Sequence, residues 1–217
     1  MFVGHYGVSF AVKSADKTIP LWVLFIAVQL VDVFWGIFVL TGVEEVRIVP
    51  GITASNPLDL YYMPYTHALL SALLWSLAAG IAYKVLRRPQ QGIRAPMLVA
   101  LAVFSHWILD LIVHRPDLPL YANTVKVGLG LWNYRAAAFI LEAGFLFGGM
   151  LLYFNRTTPL SKTGTYGLVV FGVAMLVLQA QVFFGSPPPS PIAAALTALL
   201  CYLAFAWISR LLETKRR

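Results

Sequence analysis

The chain has 217 residues, 59% hydrophobic and only 12% charged, with a mean hydropathy of +0.77. Soluble domains carry about 25% charged residues, so the composition excludes a water-soluble globular protein and reads as an integral membrane protein. The formal net charge of +7 is spread between apolar runs and not gathered into one patch, which argues against a nucleic-acid partner.

Residues 1–19 contain "GHYGVSFAV", too short for a span, which needs about 20 apolar residues. This stretch predicts a half-helix rising from Lys13 at the membrane edge, with His5 about 12 Å deeper. Gly4 and Gly7 would let it pack closely, since irregular backbone at depth needs protein cover. Residues 20–212 predict a six-span bundle: Pro20–Thr41, Tyr65–Leu86, Ala95–His114, Asn133–Phe154, Thr165–Gly185 and Pro191–Leu212. "RRPQQG", "HRPDLPL", "FNRTTPLSKTG" and "GSPPPSP" combine Pro, Gly and charge as connectors do. Residues 213–217 form a basic tail. The expected architecture is one all-α polytopic membrane domain, residues 1–217, with about six transmembrane helices plus the half-helix. The N-terminus lacks the features of a cleavable signal peptide. Cys201, the single cysteine, falls mid-span and forms no internal disulfide.

The basic residues alternate along this order. Lys13 and Lys17 precede the first span; Lys84, Arg87, Arg88 and Arg94 flank the second connection, Arg156 and Lys162 lie in the fourth, and Arg210, Lys215, Arg216 and Arg217 close the chain. "GVEEVR" leans acidic and "GSPPPSP" carries no charge. The positive-inside rule then places both termini in the cytoplasm, in the inner (plasma) membrane of a prokaryote. The third connection, with Arg115 and Lys126 against Asp117, fits this alternation least well.

Four histidines and three intramembrane acids carry the chemistry: His5, His67, His106 and His114, with Asp32, Asp110 and Glu142. In "SHWILDLIVH" the spacing of four puts His106, Asp110 and His114 on one stripe of a helix. Measured from the cytoplasmic ends of their spans, Asp32, His106 and Asp110 lie at roughly 18, 17 and 23 Å. From the outer side, His67 lies within about one turn and Glu142 at roughly 14 Å. The set converges on the outer half of the membrane. Buried ionisable groups are costly there and pair with or ligate something.

Taken singly, the residues have structural readings. His67 can be an interfacial polar group, Asp32 can bond Gln29, His114 can snorkel beside Arg115, and Glu142 can pair with Arg135. Tyr61, Tyr62, Tyr65, Trp132 and Tyr134 read as an aromatic belt. Taken together, imidazoles beside carboxylates suit a divalent transition metal, since zinc takes His nitrogen and Asp or Glu oxygen. No G-x-S-x-G elbow, Walker loop or dinucleotide fingerprint competes.

"GHYGVSFAV", "AVQLVDVFWG", "PYTHALL" and "SHWILDLIVH" together resemble a family of bacterial inner-membrane proteins classed as metal-dependent hydrolases. That family's ordered His, Asp, His and His-x-x-x-Asp motifs are similar to those of zinc-dependent phospholipases C. The resemblance runs from the N-terminus to His114 and, more loosely, to Glu142; at "VQLVDVF" the chain lacks the family's usual Pro-Asp. It implies that His5, Asp32, His67, His106 and Asp110 hold one or two zinc-like ions. The expected function is a membrane-embedded hydrolase acting on a lipid or amphiphilic (phospho)ester through metal-activated water. His114 or Glu142 would be the general base or complete a second metal site. Arg115, Lys126 and Arg135 would attract an anionic head group. The alternative is a proton- or ion-coupled transporter using the same cluster. Haem ligation by paired histidines ranks lower, because it leaves Asp32 and Asp110 without a role. Oligomeric state is not legible in the sequence.

Overall fold

The computed structural model describes residues 1–87 and 92–217. Arg88 and most of the "RRPQQG" connector lie outside the described residues. The helices are α1 (His5–Ala15), α2 (Leu21–Val28), α3 (Leu30–Thr41), α4 (Leu69–Arg87), α5 (Arg94–Val113), α6 (Arg135–Arg156), α7 (Lys162–Phe184) and α8 (Pro191–Glu213). Among the described residues, α4 to α8 are long and apolar enough to cross a bilayer, and the bent pair of α2 and α3 meets the same test when the two are counted as one span. The chain is therefore an all-α integral membrane protein, as its composition requires. Leu73, Leu74, Leu77, Ile81 and Val85 along α4 are exposed, as a lipid-facing stripe must be.

The expected first span is broken. α2 and α3 meet at Gln29 with a bend of 54°. Neither Pro nor Gly marks the site, so the run "AVQLVDV" reads as one continuous helix. The break leaves the Val28 carbonyl among the end-of-helix acceptors without an intrahelical donor. That carbonyl accepts a hydrogen bond from His106 Nδ1 at 2.7 Å. A side chain from α5 thus satisfies the backbone that the bend frees.

α1 is the half-helix. It lies against α6 backbone to backbone: a Cβ on Gly7 would fall 2.0 Å from the Phe145 carbonyl oxygen, and one on Gly149 would fall 2.0 Å from that of Gly7. Small residues at both faces are what allow this approach. At its deep end the Glu142 carboxylate accepts from the backbone N–H of Phe2 (2.8 Å) and of Gly4 (3.2 Å). It thereby covers the free N–H groups ahead of the helix and complements the helix dipole.

Two connectors hold strands that the all-helical reading did not separate. β1 (Glu45–Ile48) pairs with β2 (Leu58–Tyr62) between α3 and α4, and β3 (Leu118–Tyr121) pairs with β4 (Thr124–Val127) between α5 and α6. These are short antiparallel hairpins of Val, Ile, Leu and Tyr, residues favoured in strands once the chain leaves the bilayer. A 3-10 turn, Leu131–Asn133, follows β4. Both hairpins sit at one end of the bundle. The opposite end collects Lys13, Arg94, Arg156, Lys162 and the C-terminus. The expected basic tail is docked there: Arg216 donates to Thr157 Oγ1, Thr157 O and Gly164 O, and Arg217 pairs its backbone with Thr158.

Candidate metal centre

Three segments bring the four imidazoles to one carboxylate. His5 begins α1, His67 precedes α4, and α5 carries His106 and Asp110 and ends at His114. Asp110 lies roughly 5 Å and His106 roughly 10 Å inside the hairpin end of α5. All four histidines and Asp110 are buried. His5 Nε2 lies 3.2 Å from Asp110 Oδ1. His106, His114 and His67 place Nε2 at 3.1, 3.5 and 3.7 Å from Asp110 Oδ2. Asp32, from α3, adds a second carboxylate: its Oδ1 is 3.2 Å from His67 Nε2 and 3.5 Å from His106 Nε2. The other oxygen of Asp32 accepts from the Tyr202 hydroxyl at 2.9 Å.

The far side of each ring decides what the near side is. His106 Nδ1 faces the Val28 carbonyl, which can only accept, so Nδ1 carries the proton. His114 Nδ1 is 2.8 Å from Asp117 Oδ1, another acceptor. His67 Nδ1 is 2.8 Å from Thr66 Oγ1, and that hydroxyl donates onward to Glu44 Oε2 at 2.6 Å. Three rings are thereby fixed with Nδ1–H turned outward. In the neutral imidazole, each then aims an Nε2 lone pair at a carboxylate. His106 Nε2 has no hydrogen-bond partner among the described residues, although two carboxylate oxygens stand within 3.5 Å. Lone pairs facing ionised carboxylates repel unless a proton or a metal cation lies between them.

Size and charge fit a divalent ion. Ligands at the 2.0–2.1 Å distances of zinc are about 3.3 Å apart at the edges of a tetrahedron; the separations here run from 3.1 to 3.7 Å. Two trios have donor atoms within 4.8 Å of one another: His5, His106 and Asp110, and Asp32, His67 and His106. A divalent ion would offset carboxylate charge there, and imidazole nitrogens could complete its shell. The amino group of Met1 already stands as a cation against Asp110 Oδ1. Outward Nδ1–H groups held by a carbonyl or carboxylate are the usual second layer around metal-bound histidines.

Some sequence expectations take a different shape. Glu142, besides binding the N–H groups of Phe2 and Gly4, accepts from the Gln179 amide at 3.2 Å, so its carboxylate is occupied by three donors. It does not pair with Arg135, which donates to the Ala54 carbonyl. Gln29 bonds the Phe2 carbonyl and not Asp32. His114 does not snorkel: it is buried against Asp117 and Trp132, the latter ring 4.2 Å away. Trp132 is itself buried and not part of an exposed belt. Arg115 is held by Asp59 and Asp117, and Lys126 by the Tyr61 carbonyl. Glu44, Thr66 and Asp117 escaped sequence reasoning because a second-layer acceptor has no fixed spacing from the ring it holds. Only Thr66, next to His67, was adjacent enough to suggest itself.

A cavity of about 450 Å³ opens from this centre toward α7 and α8. His67, His114, Asp32 and Asp110 line it, whereas His5 and His106 lie behind them. No family model, curated protein or solved structure matches the chain.

Proposed function

We propose that this protein is a membrane-embedded metal-dependent hydrolase acting on an amphiphilic ester, a phosphoester above all. One observation carries the reading: four buried Nε2 atoms converge on Asp110 while three of the rings have Nδ1 tied to outside acceptors. His5, His106 and Asp110 would hold one ion; Asp32 and His67, with the second oxygen of Asp110, would hold another. The nitrogen-rich set with carboxylates suits zinc best. An ion held there supplies Lewis acidity, which polarises a phosphoryl or carbonyl oxygen and acidifies water.

The chain's own groups divide the remaining work. His114 lines the cavity, and Asp117 holds its Nδ1–H, so its Nε2 is placed to accept a proton from water. His5 and His106, which do not line the cavity, would serve as ligands through Nε2. The surplus of basic side chains at the end opposite the hairpins supports an orientation with both termini in the cytoplasm of a prokaryotic inner membrane.

Elemental analysis of protein purified in detergent without added metal tests the reading. Near-stoichiometric zinc, manganese or iron is expected, and at least tenfold less in Asp110→Ala and His106→Ala. His114→Ala should keep most of the metal and lose hydrolysis. Metal content unchanged in both Asp110→Ala and His106→Ala would overturn the hydrolase reading and leave a proton relay.

A further inference from the structure

The cavity is polar at one end and apolar at the other, and the two ends differ in access. At the polar end His67, Asp110 and His114 are only 3%, 1% and 2% exposed. At the apolar end Leu178 and Val182 of α7 are 40% and 49% exposed. The slot therefore reaches the surface along α7 and α8, beside the α7–α8 connection, whose exposed Ser186, Pro187 and Pro189 also line it. Its walls are Leu178, Val182 and Phe183 from α7 and Ala194, Ala198 and Cys201 from α8. Residues 194, 198 and 201 lie one turn apart on a single helical face, and their small side chains leave the groove that Leu178 and Val182 overhang.

A second observation, independent of that groove, lies at its inner end. Trp35 and Trp132 both line the cavity, and both are buried. Neither indole Nε1 has an acceptor among the described residues. Buried indole N–H groups ordinarily find a partner, and leaving one without is destabilising. Trp35 lies three residues beyond Asp32 on α3, and the Trp132 ring lies 4.2 Å from that of His114, so both indoles flank the His/Asp centre.

We propose that the cavity seats a single-chain amphiphile. Its hydrocarbon chain lies in the slot between α7 and α8, and its oxygen-bearing head lies at the centre, where Trp35 and Trp132 donate to it. The volume is within the range of about 300–1,000 Å³ for small-molecule sites. The head's fate rests on the hydrolase reading above; the seating of the chain rests on the cavity.

The test is photo-crosslinking in phosphatidylcholine nanodiscs with a dodecyl phosphate carrying a mid-chain diazirine, followed by peptide mapping. Crosslinks are expected on Leu178, Val182, Phe183, Ala194 and Ala198, competed by dodecyl phosphate and not by inorganic phosphate. Ala198→Trp should reduce them at least tenfold. Trp35→Phe with Trp132→Phe should raise the half-competing dodecyl phosphate concentration about tenfold. Label spread over the lipid-facing stripe of α4, around Leu74 and Leu77, without competition would overturn the proposal. The wild-type map decides even where a variant does not fold. Metal content is measured on the same samples. Competed slot labelling without metal upholds the seat while the hydrolase reading fails; bound metal with uncompeted labelling sinks the seat alone.

Discussion

Two regions of this apolar chain bury charge, and they do so in opposite ways. At the basic end, Lys13 Nζ donates to the carbonyls of Lys17 and Ile19 at 2.7 and 2.8 Å and pairs with Glu213 Oε1 at 2.5 Å. Glu213 uses its other oxygen to accept from Leu21 N at 2.9 Å. Every ammonium proton has an acceptor, which is the condition for burying a lysine. The His/Asp centre differs: three rings turn Nδ1 outward, their Nε2 atoms converge on carboxylates beside the Met1 amino group, and His106 Nε2 is left without a bond. A closed polar network fastens the ends of α1, α2 and α8 together. The other, an open one, leaves ligating atoms of two carboxylates and four imidazoles facing one another.

The sharpest way to break this comparison is to remove the ion. If the centre is occupied at 1,000 times its dissociation constant, binding adds about 4 kcal/mol to stability. For a chain of this length, each kcal/mol is worth about 2–4 °C. A strong chelator should lower the melting temperature by about 10 °C in wild type and leave Asp110→Ala unmoved. A wild-type melting temperature indifferent to chelator would make the centre as closed as the basic end.

Lys13→Met attacks the closed network. Removing one partner of a fully buried pair costs about 3–5 kcal/mol, but Glu213 keeps 22% of its side chain exposed. A loss of about 2 kcal/mol is therefore expected, read as a lower melting temperature with metal content unchanged. Restoring neutrality with Lys13→Met plus Glu213→Gln should recover part of it. Metal loss in Lys13→Met alone would mean that the two regions are coupled through α1.

What the sequence revealed follows the same division. The identities at the centre were legible because His and Asp are rare in spans and their helical spacing is a property of one segment. The depth of α1 was legible from a short apolar run ending at Lys13. The break at Gln29 was not, because the bend is set by what packs against it, and no residue in "AVQLVDV" forbids a straight helix. Nor was the outward hold on each ring. Val28, Asp117 and the Thr66–Glu44 pair come from different connections, and only the folded chain says which acceptor meets which ring. The hairpins lie in the two long connectors, where strands of only four or five residues carry too little pattern to stand out.

Thr66→Val sharpens the reading of that outer layer. It keeps the shape and removes the hydroxyl that takes the His67 Nδ1 proton and passes a hydrogen bond to Glu44. Second-layer losses around metal-bound histidines cost about 10–100-fold in affinity. A drop of that size is expected by competition against a zinc-binding dye, with rescue by Thr66→Ser, which keeps the hydroxyl. Equal affinity in Thr66→Val would show that the ring does not need its tautomer fixed.

Glu142 sits between the two regions and should give the smallest effect. Its side chain lines the same cavity as His114, yet its oxygens accept from Phe2 N, Gly4 N and Gln179 Nε2. By the test of open against closed it belongs with Lys13: three donors leave it little capacity to take a proton from water. Glu142→Gln keeps the shape and one carbonyl acceptor, which can stay on the Phe2 and Gly4 N–H groups. Its new amide then meets the Gln179 amide, donor against donor. One lost hydrogen bond to a charged group costs about 1.5–3 kcal/mol, and reorientation of Gln179 should return part of it. The expected result is a melting temperature a few degrees lower, with metal content and hydrolysis within about twofold of wild type. Glu142→Ala should cost more, because both backbone N–H groups at the head of α1 then lose their acceptor and His5 loses its anchor. Glu142→Gln with full metal but hydrolysis down a hundredfold would move Glu142 into the open region and give it the proton-accepting role assigned to His114.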